Sequence, residues 1–391
     1  MPFIFVLPGL GERRIAIGAS DVCVLIACIL LARDLAAGRL RLPQAMLCCL
    51  CITSLVLSLL VNSNTLVSDK GPLTALVEIP KSVILWLHFY ILVNLIQTRQ
   101  QFMLAVRMWL VGGTAVALIG IGGSLAYQFT GVENAYAVEF RAQGTLGDAN
   151  LFAAHLALSF LLALFYCRLT GKFHLWLAPV LVISFTGIIL SASRGSTLSF
   201  FICLALLWLS GSSWQVKIAV LGFGALLGLL LVIFPGMDSR LTSNPFAERL
   251  DTATLSLGNE EAADRKRLWE SAWQEFSDSP VVGIGRGAFR PLDEPDVARP
   301  AQVHNTYLSL LCELGLAGFL LQMAFFFRHI LELIKRPVAS PSLRNARSLL
   351  LLSVLAVALC GLTISIESYR GLWMLFALVE AFSRLFIRPL P

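Results

Sequence analysis

Residues 150–168 read NLFAAHLALSFLLALFYCR, a run that carries no formal charge before its closing Arg168. As a helix rising about 1.5 Å per residue it is roughly 28 Å long, close to the thickness of a bilayer's hydrocarbon core. In lipid a helix satisfies its backbone polar groups within its own segment, so a run of this length is read as a crossing. Comparable runs recur near 15–33, 42–61, 74–96, 103–126, 174–192, 196–211, 216–235, 315–334, 347–366 and 371–387. Together they make about eleven full spans. The expected class is all-α, a polytopic integral membrane protein.

Composition agrees with that reading. The 391 residues are 57% hydrophobic and 14% charged, where a soluble domain carries about 25% charge. Mean hydropathy is +0.78. The formal charge of +6 does not imply nucleic acid, because the basic residues fall in alternate short connections. Examples are Arg33, Arg39 and Arg41, then Arg168 and Lys172, the cluster within 328–347, and Arg384 with Arg388. The positive-inside rule makes that face cytoplasmic. Arg141, Arg194, Arg370 and the long polar stretch 236–303 then fall on the outer face.

Parity with a cytoplasmic C-terminus asks for a twelfth crossing. Pro2–Leu10 is too short to span alone and is expected to be an incomplete first helix. No small-residue cleavage site follows it, so it is not read as a secretory signal. The nine cysteines lie almost wholly in apolar runs. Cys48-Cys49-x-Cys51 has no histidine or carboxylate on its helix, and free cysteine behaves as a small hydrophobe. Without repeats or low-complexity tracts, three segments are expected: an N-terminal transmembrane bundle (1–235), a polar loop with active-site helices (236–314) and C-terminal transmembrane helices (315–391).

The polar loop holds most of the candidate chemistry. Leu268, Trp269, Ala272 and Phe276 stand at helical spacing, which predicts an amphipathic helix over 262–276. Arg265, Lys266 and Arg267 head that helix. A guanidinium grips phosphate in a bidentate fork, although nearby Glu260, Glu261, Asp264 and Glu270 also suit a plain solvated face. Gly283-Ile284-Gly285-Arg286-Gly287 superficially resembles a dinucleotide loop but lacks a preceding strand and a ribose-binding acid. Residues 280–289 are instead expected to form a tight loop that returns the chain to the membrane. Asp293-Glu294-Pro295-Asp296 is an acidic loop of the ordinarily solvated kind, and no metal is expected.

His304 closes the loop in the run His304-Asn305-Thr306-Tyr307-Leu308. Imidazole titrates near neutral pH and can take a proton from an attacking hydroxyl. Positions 304, 307, 308 and 311 share a helical face. Glu313 argues against one continuous span, so a short surface helix is expected, then a break near Leu314-Gly315, then a membrane helix. Arg194 lies in Ser191-Ala192-Ser193-Arg194-Gly195-Ser196-Thr197, whose small hydroxylated neighbours admit an anion. An interfacial arginine that snorkels is the plain alternative. Lys81 falls near mid-bilayer in its span, and either pairs with Glu78 or lines a substrate cavity.

These motifs, in this order, resemble the bacterial O-antigen ligase family (WaaL type), within the group of lipid-linked polysaccharide ligases and polymerases. The similarity runs from Arg141-x-x-Gly144-x-x-Gly147-Asp148-x-Asn150 through Ser191-x-Ser193-Arg194-Gly195 and Arg267-Leu268-Trp269. It continues through Pro280-x-x-Gly283-x-Gly285-x-Gly287-x-Phe289 to His304-Asn305-x-Tyr307-Leu308 and Glu313-x-Gly315-x-x-Gly318. The resemblance implies about twelve transmembrane helices, a large helical periplasmic loop and a GT-C-like membrane glycosyltransferase architecture in the bacterial inner membrane. It implies transfer of a glycan from undecaprenyl diphosphate to a sugar hydroxyl of lipid A-core, inverting and without metal or other cofactor, in lipopolysaccharide biosynthesis. Arg194, Arg267 and His304 take the places of the family's essential residues. Arg265 competes with Arg267 for one of these, and Lys81, Arg141, Asn305 and Tyr307 are expected to contact substrate.

Other readings share the donor. A polymerase would extend a second undecaprenyl-linked chain, and a protein O-oligosaccharyltransferase would glycosylate a serine or threonine. A transporter would explain the helices but not the gathering of Arg194, Arg267 and His304, and no internal pseudo-symmetry supports it. The charge asymmetry fixes an orientation that labelling can check. In a cysteine-free variant, Asn259→Cys is expected to react with an impermeant maleimide in intact spheroplasts while Ser342→Cys stays unlabelled. The opposite pattern would invert the topology.

Overall fold

A computed structural model describes residues 5–6, 16–17, 19–62, 72–138, 140–209, 260–291, 301–338 and 340–387. Its elements are almost all helical: α1 (Ala19–Ala36), α2 (Ala45–Val61), α3 (Pro72–Leu95), α4 (Arg99–Thr130), α5 (Ala149–Thr170), α6 (Leu177–Leu190), α7 (Arg194–Leu209), α8 (Glu260–Asp278), α9 (Thr306–Lys335), α10 (Pro341–Cys360) and α11 (Arg370–Phe386). Two antiparallel pairs of short strands join them, β1 (Phe5–Val6) with β2 (Ala16–Ile17) and β3 (Ala137–Val138) with β4 (Arg141–Ala142). Among the described residues four helices, α4, α5, α9 and α10, are long and apolar enough to cross a membrane, and α2, α6, α7 and the Ile79–Leu95 part of α3 are shorter apolar helices. On α1, Ile29 and Leu30 are 74% and 72% exposed, a surface that water would punish and lipid tails accept. The protein is membrane-embedded.

Ten of the expected spans overlap a described helix, while 216–235 lies outside the described residues. Two expectations change. Phe5 and Val6 are extended and paired with Ile17 and Ala16, so these two residues are not part of a helix. Pro8, Gly9 and Gly11 explain this locally, since each discourages helical continuation. The span expected at 347–366 is displaced towards the N-terminus. Pro341 occupies the first helical position, where its missing N–H costs nothing, and Ser340 Oγ accepts from Leu343 N at 3.2 Å. Beyond Cys360 the backbone is drawn into tertiary hydrogen bonds instead of further turns.

The chain forms two compact units. The first comprises 1–104, 263–339 and 361–391. Here Trp86 of α3 meets Phe325 of α9 at 4.4 Å and Trp373 of α11 at 4.7 Å between ring centroids, and Phe326 stacks on Phe376 at 4.6 Å. Leu55 and Leu59 of α2 pack with Leu310 and Leu314 of α9. The amphipathic helix expected at 262–276 is α8, whose Leu268, Trp269 and Ala272 pack against Phe289, Val303 and Cys312. The break expected near Leu314-Gly315 is also present, with Gly315 at φ 64° and ψ −175° inside α9.

The second unit comprises 105–262 and 340–360. Its packing centres on fully buried Phe152, whose ring would lie within 3 Å of a Cβ at either Gly120 of α4 or Gly144. Gly187 of α6 would in turn press on Leu156 at 2.3 Å. Without a hydrophobic drive between helices in lipid, such small residues let backbones approach closely enough for dispersion to hold them. Leu161 of α5, Cys203 of α7 and Ala356 of α10 form a second buried contact.

Glycines at Gly283 and Gly315 carry the tightest constraint. A Cβ at Gly315 would sit 2.4 Å from the carbonyl of Val281, and one at Gly283 would sit 2.5 Å from Glu313 C and Gly315 N. Gly171 has a similar φ of +73° but nothing within 4 Å. Gly171→Ala is therefore expected to cost about 1–2 kcal/mol from backbone strain alone. Gly315→Ala and Gly283→Ala should lower the thermal transition of the detergent-solubilised protein much further. Equal transitions for all three variants would contradict the close packing.

Candidate functional site

In the first unit, α9 begins where the polar loop ends. Asn305 is extended and its Oδ1 accepts from Tyr307 N at 3.0 Å and Leu308 N at 3.1 Å, an N-cap that ends the loop and starts the helix. His304, just before it, has φ 54°. Histidine tolerates this left-handed region better than most residues, and such backbone persists only where its surroundings enforce it. Two contacts do so. Trp269 Nε1 of α8 donates to Val303 O at 3.0 Å, and Thr306 N donates to Gly361 O at 2.8 Å. Thr306 Oγ1 also donates to Ile364 O and accepts from Ile366 N, each at 2.8 Å.

The same indole bond joins the helix of the loop arginines to the residue before the histidine. Arg265 and Arg267 stand four and two positions before Trp269, and Val303 is the residue before His304. Arg265 Nη1 lies 3.5 Å from Thr363 O, on the segment that also holds Thr306. Arg267 Nη2 is 3.7 Å from Asp264, and Lys266 is 3.7 Å from Glu270 with both side chains well exposed. Lys266 thus takes the solvated helix face. Further along α8, burial first and the charge of Asp278 second push the Glu275 carboxyl above the usual carboxylate range. Lys81 is exposed on α3, and the side chain of Glu78 lies outside the described residues.

A buried ion cluster escaped the reading of the sequence. Arg286 Nη1 donates to Glu313 Oε2 at 2.8 Å, and its Nη2 donates to Ser368 Oγ at 3.1 Å and lies 3.4 Å from Glu367 Oε1. The side chains of Arg286, Glu313 and Glu367 are only 9%, 9% and 11% exposed. Gly287 N donates to Glu313 Oε1 at 3.1 Å, and Ser309 Oγ to Glu367 Oε1 at 3.3 Å. The fold thus absorbs Arg286, the charged residue of the glycine loop, as the counterion of Glu313. A lone arginine and a lone glutamate, each inside an apolar motif, were the available signal. Sequence spacing gave no way to pair them.

The second unit holds Arg194 at the first position of α7, where it is exposed. The turn before it is tightly built. Ala192 has φ 49°, Ser191 Oγ donates to Ile188 O at 2.6 Å, and Ser193 N donates to Ser191 Oγ at 3.1 Å. Ser193 O accepts the first helical bond from Thr197 N at 3.0 Å, while its buried Oγ has no hydrogen-bond partner. Arg141 Nε donates to Ser191 O at 3.1 Å and its Nη2 to Asn150 Oδ1 at 3.2 Å. Asp148 caps α5 by accepting from Leu151 N at 2.7 Å, and Ser196 Oγ donates to Asn150 O at 3.0 Å. Arg141 therefore braces the turn that presents Arg194. A helix N-terminus and an exposed guanidinium are groups whose chemistry suits an anion.

Residues 179–323 match the family model described as O-Antigen ligase. This segment carries the O-antigen ligase domain. It spans Arg194, Arg265, Arg267, Arg286, His304, Asn305, Tyr307 and Glu313, while Lys81, Arg141 and Glu367 lie outside it. No curated protein matches the chain. The family expected from the motifs is thus the one returned over this stretch.

The ion cluster of Arg286, Glu313 and Glu367 has a measurable consequence. Arg286→Met would leave Glu313 and Glu367 buried without their cation and is expected to destabilise by about 3–5 kcal/mol. Adding Glu313→Gln and Glu367→Gln to that variant should recover most of the loss, since paired removal of buried charges is nearly neutral. Thermal unfolding in detergent reads both, and an unchanged transition in Arg286→Met would contradict the pairing.

Proposed function

We propose that the protein is an O-antigen ligase, which transfers a glycan from undecaprenyl diphosphate to a sugar hydroxyl of lipid A-core at the periplasmic face of the bacterial inner membrane. The observation that carries this reading is the Trp269–Val303 hydrogen bond, which couples the helix bearing Arg265 and Arg267 to the residue before His304. That bond supports a reading in which one base and two guanidiniums act on the same lipid-linked head group.

In this reading the acceptor oxygen attacks the anomeric carbon from the side opposite the diphosphate. His304 takes the hydroxyl proton as the new C–O bond forms. The old bond to diphosphate breaks and its electron pair leaves with the lipid diphosphate, so the anomeric centre inverts. Arg194 with Ser193, and Arg267 with Arg265, stabilise the charge that develops on the leaving group. Arg141 holds the Ser191 turn, Asn305 fixes the start of α9, and Tyr307 lies one turn beyond His304. Guanidiniums supply the positive charge that a divalent ion would otherwise bring, so the transfer is proposed to be metal-independent.

Two sets of measurements test it. His304→Ala is expected to abolish ligation while labelled undecaprenyl-diphosphate donor still binds the purified, folded protein. Arg194→Ala and Arg267→Ala should weaken donor binding and ligation together, and lysine at either place should rescue poorly because it lacks the planar fork. Near-normal ligation by His304→Ala would remove the histidine from the mechanism. Chelation with EDTA should leave wild-type transfer intact. Loss of activity restored by Mg²⁺ or Mn²⁺ would refute the metal-free step.

A further inference from the structure

The first unit encloses a cavity between α2, α3, α9 and α11, lined on one side by aliphatic side chains and on the other by Ser82, Trp86, Arg286, Gln322, Glu367 and Trp373. Its free space is about 40 Å³, room for roughly three water-sized groups. Two of the lining residues each have a buried polar atom without a hydrogen-bond partner, Gln322 Nε2 and Glu367 Oε2. Gln322 is 8% exposed. One donor and one acceptor left unpaired on residues of one small cavity are an unusual pair, because each unpaired buried group costs stability.

The charges narrow what fits. Arg286 is engaged by two carboxylates, Glu313 and Glu367, so the three groups together carry one formal negative charge. A phosphate would accept from Gln322 but be repelled by Glu367. An ammonium would suit Glu367 but confront the Gln322 donor. A neutral hydroxyl does both, donating to the carboxylate and accepting from the amide. The apolar remainder and the tilted Trp86–Trp373 pair suit the carbon that bears it.

We infer that this cavity binds a neutral hydroxyl of a lipid-borne head group, as a site separate in chemistry from the arginines that receive phosphate. Taking the transfer reaction above as the protein's activity, the hydroxyl belongs to the acceptor glycolipid, and only the edge of its sugar enters. Gln322 and Glu367 then set acceptor affinity rather than donor affinity.

The test uses the full chain in lipid nanodiscs, with tryptophan fluorescence and thermal shift as readouts. Dodecyl maltoside, monododecanoyl glycerol, dodecyl phosphate and dodecylamine serve as probes, below solubilising concentration. The two neutral hydroxylated probes are expected to bind saturably and more tightly than the phosphate or the amine, and the tighter of the two names a sugar or a simple polyol as the source. Glu367→Gln and Gln322→Leu should each weaken that binding by about tenfold. Gln322→Leu should also leave the ligand-free protein as stable or more stable, since it deletes an unpaired donor without changing much volume. In ligation assays it should raise the acceptor KM and leave donor binding unchanged. Undiminished glycoside binding in the double variant, or preferential binding of dodecyl phosphate, would overturn the site. A wild-type chain that binds the glycoside saturably but transfers no glycan would keep the site and sink the proposed reaction.

Discussion

The close approach of two backbones at Gly283 and Gly315 organises the first unit. Neither residue can carry a side chain there, so the glycine loop lies directly on the kink of α9 and trades hydrogen bonds with it. Ile284 N and Gly285 N donate to Cys312 O and Glu313 O, each at 3.0 Å, and Leu316 N donates back to Pro280 O at 2.8 Å. Breaking α9 at Gly315 would otherwise leave buried helical carbonyls and amides unsatisfied. The loop supplies the missing partners, and Ser58 Oγ of α2 and Asn62 Nδ2 just after it complete the set by donating to Glu313 O and Gly283 O.

That docking makes the buried charges possible. Arg286 enters the interior only because the loop before it is pinned, and Glu313 meets it with both carboxylate oxygens occupied, one by the guanidinium and one by Gly287 N. Buried ion pairs rarely add net stability over apolar packing, but losing one partner is costly. Their effect here is to fix a geometry. The segment 361–368 is held to the start of α9 through Glu367 and Thr306, and the start of α9 holds His304 in its left-handed conformation. In the second unit glycines around Phe152 close the helices, and Arg141 ties the Ser191 turn that presents Arg194.

Much of this was legible in the chain. The apolar runs marked the helices because burial in lipid is decided residue by residue over a fixed length. Alternation at 268, 269, 272 and 276 marked α8, and the Glu313-Leu314-Gly315 sequence marked the kink. The family was legible too, through spaced arginines, glycines and a histidine. The extended pairing of Phe5 and Val6 was missed because hydrophobicity alone does not separate a short strand from a short helix. The early end of α10 was missed because residues 361–366 are apolar enough to continue a span, and only their hydrogen bonds to Thr306 stop it.

The sequence by itself determined membrane embedding, the helical class and the residues able to do phosphate and proton chemistry. Those properties are local, fixed by hydropathy and side-chain type within a few positions. Only the tertiary structure decided that Trp269 joins the arginine helix to His304, that Arg286 neutralises Glu313 and Glu367, and that Gln322 is left unpaired on a shared cavity with Glu367. Each of these joins positions tens of residues apart. Pairing of buried polar groups depends on which backbones can approach, and at Gly283 and Gly315 that approach is decided by steric contact in three dimensions.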